Sequence, residues 1–291
     1  KVWDYLDEYK ELRTEILDVV DEVFQSGTLV FGPKLEKFEN EFTNFISTKY
    51  GLGVGNGTDA LYIALKAVGV ENGDEVITTS NTAVPTVTAI VNAGAKAKFV
   101  DINEYYLMDE KLIENKISKK TKVIMPVHLY GQVCNMELIN KIAKKHNLYV
   151  IEDCAQSHGS KSRNKQSGSF GDIGCFSFYP TKLLGGYGDG GFITTNNKEL
   201  YEKMMRIRFL GMERKKMSSG HWNGKYYAVE HGTNSRLDEV HAAILSVKLK
   251  YLNQWIGKRR KIAKVYESEL SNLPLVTPKE AENNFHAYYI Y

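Results

Sequence analysis

A chain of 291 residues can bury a full hydrophobic core and hold one large domain or two. Lysine and arginine total 38 against 35 acids, and a net charge of +3 carried on scattered lysines leaves no electrostatic footprint for nucleic acid. Cys134, Cys154 and Cys175 form no CxxC or other metal spacing, no apolar run is long enough to span a membrane, and residues 1–25 are too charged for a signal peptide, so structural thiols, no metal and a reducing cytoplasmic setting are expected.

The chain opens on Lys1 rather than methionine, so a trimmed or disordered start is expected. The stretch "WDYLDEYKELRTEILDVVDEVFQSG" then places Leu12, Ile16, Val19, Val20 and Val23 at helical spacing and stops at Gly27, predicting an N-terminal helix. A second amphipathic helix follows in "FGPKLEKFENEFTNFIS". Alternation comes next: strand 51–56, helix 58–68, strand 75–80, helix 84–93 with Pro85 in its first turn, and strand 97–101. Strand 122–127, helix 136–146 and strands 149–153, 173–178 and 190–195 complete the series. Near-continuous apolar strands separated by helices predict an α/β fold whose mostly parallel sheet is covered on both faces. Ligands on such sheets bind at the carboxyl ends of the strands, which puts Asn56–Asp59, Ser80–Thr82, His128, Asp153 and Ser177–Lys182 on one rim.

From Ser235 a helical pattern runs to about Leu270, its "GKRRK" cluster at 257–261 reading as an exposed helix face. "NFHAYYIY" then reads as the start of a strand in which the chain stops. The expected division is a large α/β domain over 1–234 and, over 235–291, the start of a smaller C-terminal α+β domain that is incomplete.

The stretch "YGLGVGNGTDAL" carries glycines at 51, 53, 55 and 57, yet it is no dinucleotide fingerprint. Counted from Gly51 the third glycine is replaced by Asn56, and counted from Gly53 by Thr58. No Gly-Lys-Ser/Thr follows, which excludes a P-loop. What remains is a helix with apolar face Leu61, Ala64, Leu65 and Val68. Its first residues, Gly57, Thr58 and Asp59, either offer free backbone N–H groups to one terminal phosphate or belong to an ordinary cap made by Thr58 or Asp59.

Two further strand ends carry chemistry. "YVIEDCAQSHGS" ends a buried strand on Glu152 and Asp153, and "CFSFYPTKLLGGYGDGG" sets Lys182 after a buried aromatic strand. Desolvation lowers a lysine's pKa, and a neutral amine forms a Schiff base with an aldehyde. A phosphate anchor, an acid for a pyridine nitrogen and a covalent lysine together are the parts of a pyridoxal phosphate site.

These motifs, in order from "SGTLVFGPKLEKFENEF" through "AIVNAGAKAKFVDI" and "TKVIMPVHLYGQ" to "GTNSRLDEVHAAIL", resemble the fold type I pyridoxal phosphate enzymes that aminate nucleotide-linked keto sugars, the DegT/DnrJ family. The resemblance covers nearly the whole chain. It implies that Lys182 is the lysine joined to pyridoxal 5'-phosphate, that Asp153 pairs with the pyridine nitrogen, and that Gln156 lies near the phenolic oxygen. It further implies that Ser177, Gly57 and Thr58 hold the phosphate and that Asn234 reaches it from the other subunit of a homodimer with shared active sites. One departure stands out: Ala83 occupies the position where many members carry an aromatic residue stacked on the ring, leaving His128 and His158 either as candidates to cover it or, equally, as structural histidines hydrogen-bonded under the site. The implied activity is transfer of an amino group from glutamate to a nucleotide-linked, dTDP-type, 6-deoxy-keto sugar at C3, in amino-sugar biosynthesis for a surface polysaccharide or glycoconjugate. The alternatives are a C4 aminotransferase, a non-catalytic binding or regulatory member, and a 3-dehydratase, in which histidine would replace Lys182.

Overall fold

Seven strands make the central sheet: β1 (Tyr50–Val54), β2 (Glu75–Thr79), β3 (Lys96–Val100), β4 (Thr121–Ile124), β5 (Tyr149–Asp153), β6 (Ile173–Ser177) and β7 (Gly191–Thr195). Their spatial order is β1-β7-β6-β5-β4-β2-β3. Strand β7 runs antiparallel to both neighbours, and every other pairing is parallel. The computed structural model describes residues 4–213 and 227–291, with the backbone of Lys215–Lys216 paired antiparallel to Trp222–Asn223.

The helices are α1 (Leu6–Ser26), α2 (Pro33–Ile46), α3 (Gly57–Ala67), α4 (Val84–Asn92), α5 (Met136–His146), α6 (Lys198–Ile207), α7 (Glu239–Leu249) and α8 (Leu252–Leu270). All five residues of β6 and of β7 are buried, because both faces of the sheet are covered. Alternation sends Cys175 and Ile193 into a core under α3, α4 and α6, while Phe176 and Phe192 enter an aromatic core with Phe38 and Phe42 of α2. A third core packs α5 against β4 and β5 through Ile139, Ala143, Ile124 and Val150.

The expected strands and helices are present with ends shifted by at most three residues. Three features differ from expectation. Helix α6 went unpredicted, although Asn197 caps it by accepting from Glu199 and Leu200 N–H. The single helix expected over 235–270 breaks at Lys250–Tyr251, where Lys250 and Tyr251 N–H bond three residues back. Helix α7 packs against α1 and α2 and is buried on nearly all sides from Ala242 to Lys248, so it shows no one-sided periodicity to mark its end. Finally, the C-terminal strand is only Asn284–Phe285, paired with Lys161–Ser162, before Tyr288 turns left-handed at φ 48°.

One side chain of α7 ties that helix to the start of α2. Glu239, 1 % exposed, accepts N–H groups from Gly32 at 2.8 Å and Leu35 at 3.0 Å on Oε1, and from Lys34 at 2.8 Å on Oε2. It thereby satisfies the free end of α2. A Cβ at Gly32 would come 2.8 Å from Glu239 Oε2, so glycine is needed for the approach. Glu239→Ala strands three N–H donors, one buried and two partly buried, and is expected to cost about 3 kcal/mol in urea unfolding, with Glu239→Gln recovering part. A loss below about 0.5 kcal/mol would refute this capping role.

Candidate active site

The carboxyl ends of β1, β2, β4, β5 and β6 surround a cavity of about 290 Å3 whose lining includes Gly57, Thr58, Asp153, Gln156, Ser177 and Lys182. A larger groove of about 870 Å3 lies between α2 and α6 beyond the opposite end of β1, and none of the expected site residues line it.

Helix α3 is capped by Asn56, whose Oδ1 accepts Asp59 N–H at 2.8 Å. This corrects the expectation for Asp59. Its N–H is already paired, and its carboxylate turns away to accept the Ser235 hydroxyl at 2.6 Å, so Asp59 does not line the cavity. The N–H groups of Gly57 and Thr58 donate to nothing among the described residues. A Cβ at Gly57 would come 2.7 Å from Ser177 Cβ, so glycine lets the helix start touch the end of β6. Ser177 Oγ accepts Tyr179 N–H at 3.3 Å, which leaves its own proton to donate.

At the end of β5, Asp153 is 5 % exposed, with Oδ2 accepting the Thr86 hydroxyl at 2.8 Å and Oδ1 accepting Ala155 N–H at 3.1 Å. Burial pushes its carboxyl up from the ordinary value, against the Ala155 N–H, the Thr86 hydroxyl and the nearby Lys182. Both groups bonded to it are neutral. Gln156 Oε1 accepts Tyr130 N–H at 2.7 Å, freeing its NH2 group for the cavity. Lys182 is half-buried rather than enclosed, its Nζ 4.9 Å from the centroid of the Tyr289 ring.

The remaining expected residues stand outside. Asn234 is exposed and bridges Phe209 through its backbone, away from its own chain's cavity. Neither histidine lines the cavity, so of the two expected alternatives the buried structural one describes them. His128 is fully buried, accepts Cys134 N–H on Nδ1 at 3.2 Å and lies 2.8 Å from Glu152 Oε2 through Nε2, the pattern of a neutral imidazole donating to a carboxylate. His158 packs among Phe42, Phe176 and Phe178, and burial together with nearby Lys182 pushes it down to about 3, so it is neutral. Ala83 does line the cavity, at the N-cap of α4, with Pro85 in the first turn. All three cysteines are free and buried, and burial pushes Cys154 up to about 12.

Sequence reasoning missed Thr86 and Tyr289. Thr82 and Thr86, whose hydroxyls are 2.7 Å apart, are four residues apart across the start of α4, a spacing that could have signalled a polar pair beneath the rim. Tyr289 carries no local signal at all.

The arrangement suits a doubly polar aromatic ligand. Two helix N–H groups and a hydroxyl attract a phosphate at one end. At the other, a buried carboxylate with only neutral donors calls for a cation, which a protonated ring nitrogen supplies.

Comparison with known proteins agrees. A dTDP-3-amino-3,4,6-trideoxy-alpha-D-glucose transaminase of Micromonospora megalomicea subsp. nigra is 44% identical over 296 residues, covering 100% of this chain and 76% of its own length. A pleiotropic regulatory protein of Geobacillus stearothermophilus is 45% identical over 293 residues, 99% of this chain and 76% of its own. Among solved structures, S. venezuelae DesV in complex with a ketimine intermediate superposes with a TM-score of 0.92 at 37% identity, over 98% of this chain and 75% of that one. The structure of ntda from Bacillus subtilis with bound cofactor PMP gives 0.87 at 33% identity, over 96% of this chain and 62% of that one. The sheet and its flanking helices are those of the fold type I aminotransferases. The family profile matches residues 10–291, and the chain belongs to the DegT/DnrJ/EryC1/StrS aminotransferase family.

Proposed function

We propose that this chain is a pyridoxal phosphate-dependent aminotransferase that moves an amino group from glutamate to C3 of a nucleotide-linked 6-deoxy-3-keto sugar, with dTDP as carrier. The observation that carries this reading is that one cavity gathers Lys182, the buried Asp153 and the unpaired N–H groups of Gly57 and Thr58. When bound, pyridoxal phosphate supplies an electron sink for the pair left behind as a proton leaves the amine-bearing carbon.

The chain's own residues do the rest. Gly57 and Thr58 N–H and the Ser177 hydroxyl hold the phosphate. Asp153 keeps the ring nitrogen protonated, and that cation in turn restores the charge that burial disfavours. Gln156 donates its NH2 group toward the phenolic oxygen. Ala83, Val127 and Leu129 give the cavity apolar walls in which these charges act strongly. Lys182 would anchor the cofactor, and its amine, when free, would take the proton from one carbon and deliver it to another, as base and then as acid. Asp59 has no part in this, since its N–H and carboxylate are committed to Asn56 and Ser235.

The C3 preference draws on "YPTKLLGGYGDGG" and on relatives named for 3-amino sugars. A C4 aminotransferase is the alternative within the same chemistry. The regulatory name of the Geobacillus stearothermophilus relative favours a second reading, a binding protein, but Lys182 and Asp153 are both in place here. Lysine at 182 also sets the chain apart from a dehydratase that uses histidine there. This reading includes a homodimer in which Asn234, exposed on its own chain, reaches the phosphate of the partner's cavity. It divides the chain into a cofactor domain over 1–234 and a C-terminal part over 235–291. No described helix is long and apolar enough to cross a membrane, and the cytoplasm is the proposed location.

Lys182→Ala is expected to abolish turnover and the yellow absorbance that borohydride bleaches, and an active Lys182→Ala enzyme would sink the assignment. Asp153→Asn, nearly the same size but uncharged, should lower kcat by about a hundredfold or more, and an unchanged kcat would remove Asp153 from the mechanism. A panel of nucleotide-linked 3-keto and 4-keto sugars with glutamate, scored by NMR for the position of the new amine, should favour C3. Equal rates on both would undercut that preference.

A further inference from the structure

The Lys182 amine does not stand free in the cavity. Its Nζ lies over the face of Tyr289, 4.9 Å from the ring centroid, although the two residues are far apart in sequence. Tyr289 is fixed from three sides. Its N–H donates to Tyr130 C=O at 2.9 Å, its C=O accepts Arg259 Nη1 at 3.2 Å, and its hydroxyl lies 3.2 Å from Thr181 Oγ1. Thr181 precedes the lysine on the same loop, so ring and lysine are tied together. Tyr130 holds a left-handed conformation, φ 60° and ψ −1°, that is costly for an aromatic residue. Its two backbone groups serve opposite sides of the site, the N–H on Gln156 and the C=O on Tyr289.

We propose that the Tyr289 ring face is the resting site of the Lys182 ammonium whenever the lysine is not bonded to the cofactor, which makes Tyr289 a positioning residue for proton transfer. The inference rests on the reading of Lys182 as the covalent anchor. Transamination releases the lysine in each half-reaction, and a four-carbon stem with no docking place samples many rotamers. A ring face attracts the ammonium through its quadrupole and the neutral amine much less. When Lys182 takes a proton from the substrate carbon, the electron pair stays with the substrate and the new ammonium settles on Tyr289. When it gives the proton to the next carbon, the neutral amine is released from the ring. The proton gained equals the proton returned, and no bond to Tyr289 forms.

The test begins on the full-length cofactor-free protein, with lysines reductively methylated by 13C-formaldehyde and resonances read by NMR. Ring current should displace the Lys182 methyl signal upfield, assigned by its loss in Lys182→Ala. Tyr289→Leu should return the signal to the bulk position, and Tyr289→Phe, which keeps the ring, should retain it. In the loaded enzyme Tyr289→Leu should lower kcat about tenfold while KM for glutamate and for sugar changes less than about twofold, with Tyr289→Phe restoring kcat. A bulk-position Lys182 signal in the wild type, or an unchanged kcat in Tyr289→Leu, overturns the inference. If the wild type still shows the borohydride-bleached yellow absorbance, only this inference has failed. Absence of that absorbance overturns the cofactor reading and this inference with it.

Discussion

The Glu152 carboxylate organises the end of the sheet. It is fully buried and accepts four hydrogen bonds, from Phe170 at 2.8 Å and Gly171 at 2.7 Å on Oε1 and from Gly168 at 2.9 Å and His128 Nε2 at 2.8 Å on Oε2. A buried negative charge is tolerable only when it is saturated in this way. The donors come from the turn that follows β4 and from the loop that leads into β6, so a single group on β5 ties the segment leaving β4 to the segment entering β6. Successive residues on a strand face opposite sides. With Glu152 locked behind the sheet, Asp153 is left to face the cavity.

Behind β6 lies the second constraint, an aromatic cluster. Phe42 approaches Phe192 at 4.9 Å, Phe176 at 5.1 Å and Phe178 at 5.3 Å between ring centroids, all near edge-to-face. These contacts set where Ser177 emerges and where the Lys182 loop begins. His158 joins the same cluster as a neutral ring, one more wall behind the site. In front, the cavity is polar at both ends with opposite preference: the start of α3 favours an anion and Asp153 a cation. A ligand carrying both is oriented by them before any covalent chemistry.

Much of this was legible in the order of residues. The alternation of apolar runs and helical spacing, and the polar residues ending each run, located the sheet, its functional rim, and Asp153, Ser177 and Lys182 on it. What escaped detection was whatever depends on a distant partner. The cap of α3 went to Asn56 because its extended backbone aims its side chain at Asp59 N–H, while Ser235, far along the chain, draws the Asp59 carboxylate away. The break between α7 and α8 was hidden because α7 is buried on most sides, which erases the periodicity by which a helix end is recognised. The sequence left the histidines open between covering the ring and a buried structural role, and the choice is made by Glu152 and the phenylalanines, which hold them away from the cavity. Tyr289 meets Lys182 because residues distant in sequence, Tyr130, Arg259 and Thr181, hold its backbone and hydroxyl.

The contact between Gly57 and Ser177 reaches beyond a single molecule. With a Cβ at position 57 placed 2.7 Å from Ser177 Cβ and 3.2 Å from its Cα, no side chain can be added at 57 unless β6 withdraws or residue 177 shrinks. Shrinking residue 177 to glycine deletes the hydroxyl, and withdrawing β6 disturbs the Lys182 loop. Position 57 therefore cannot gain a side chain by a single substitution without disturbing the site. A side chain at 57 would be accommodated only after 177 had lost its hydroxyl, so the room for it comes at the expense of the grip on an anion.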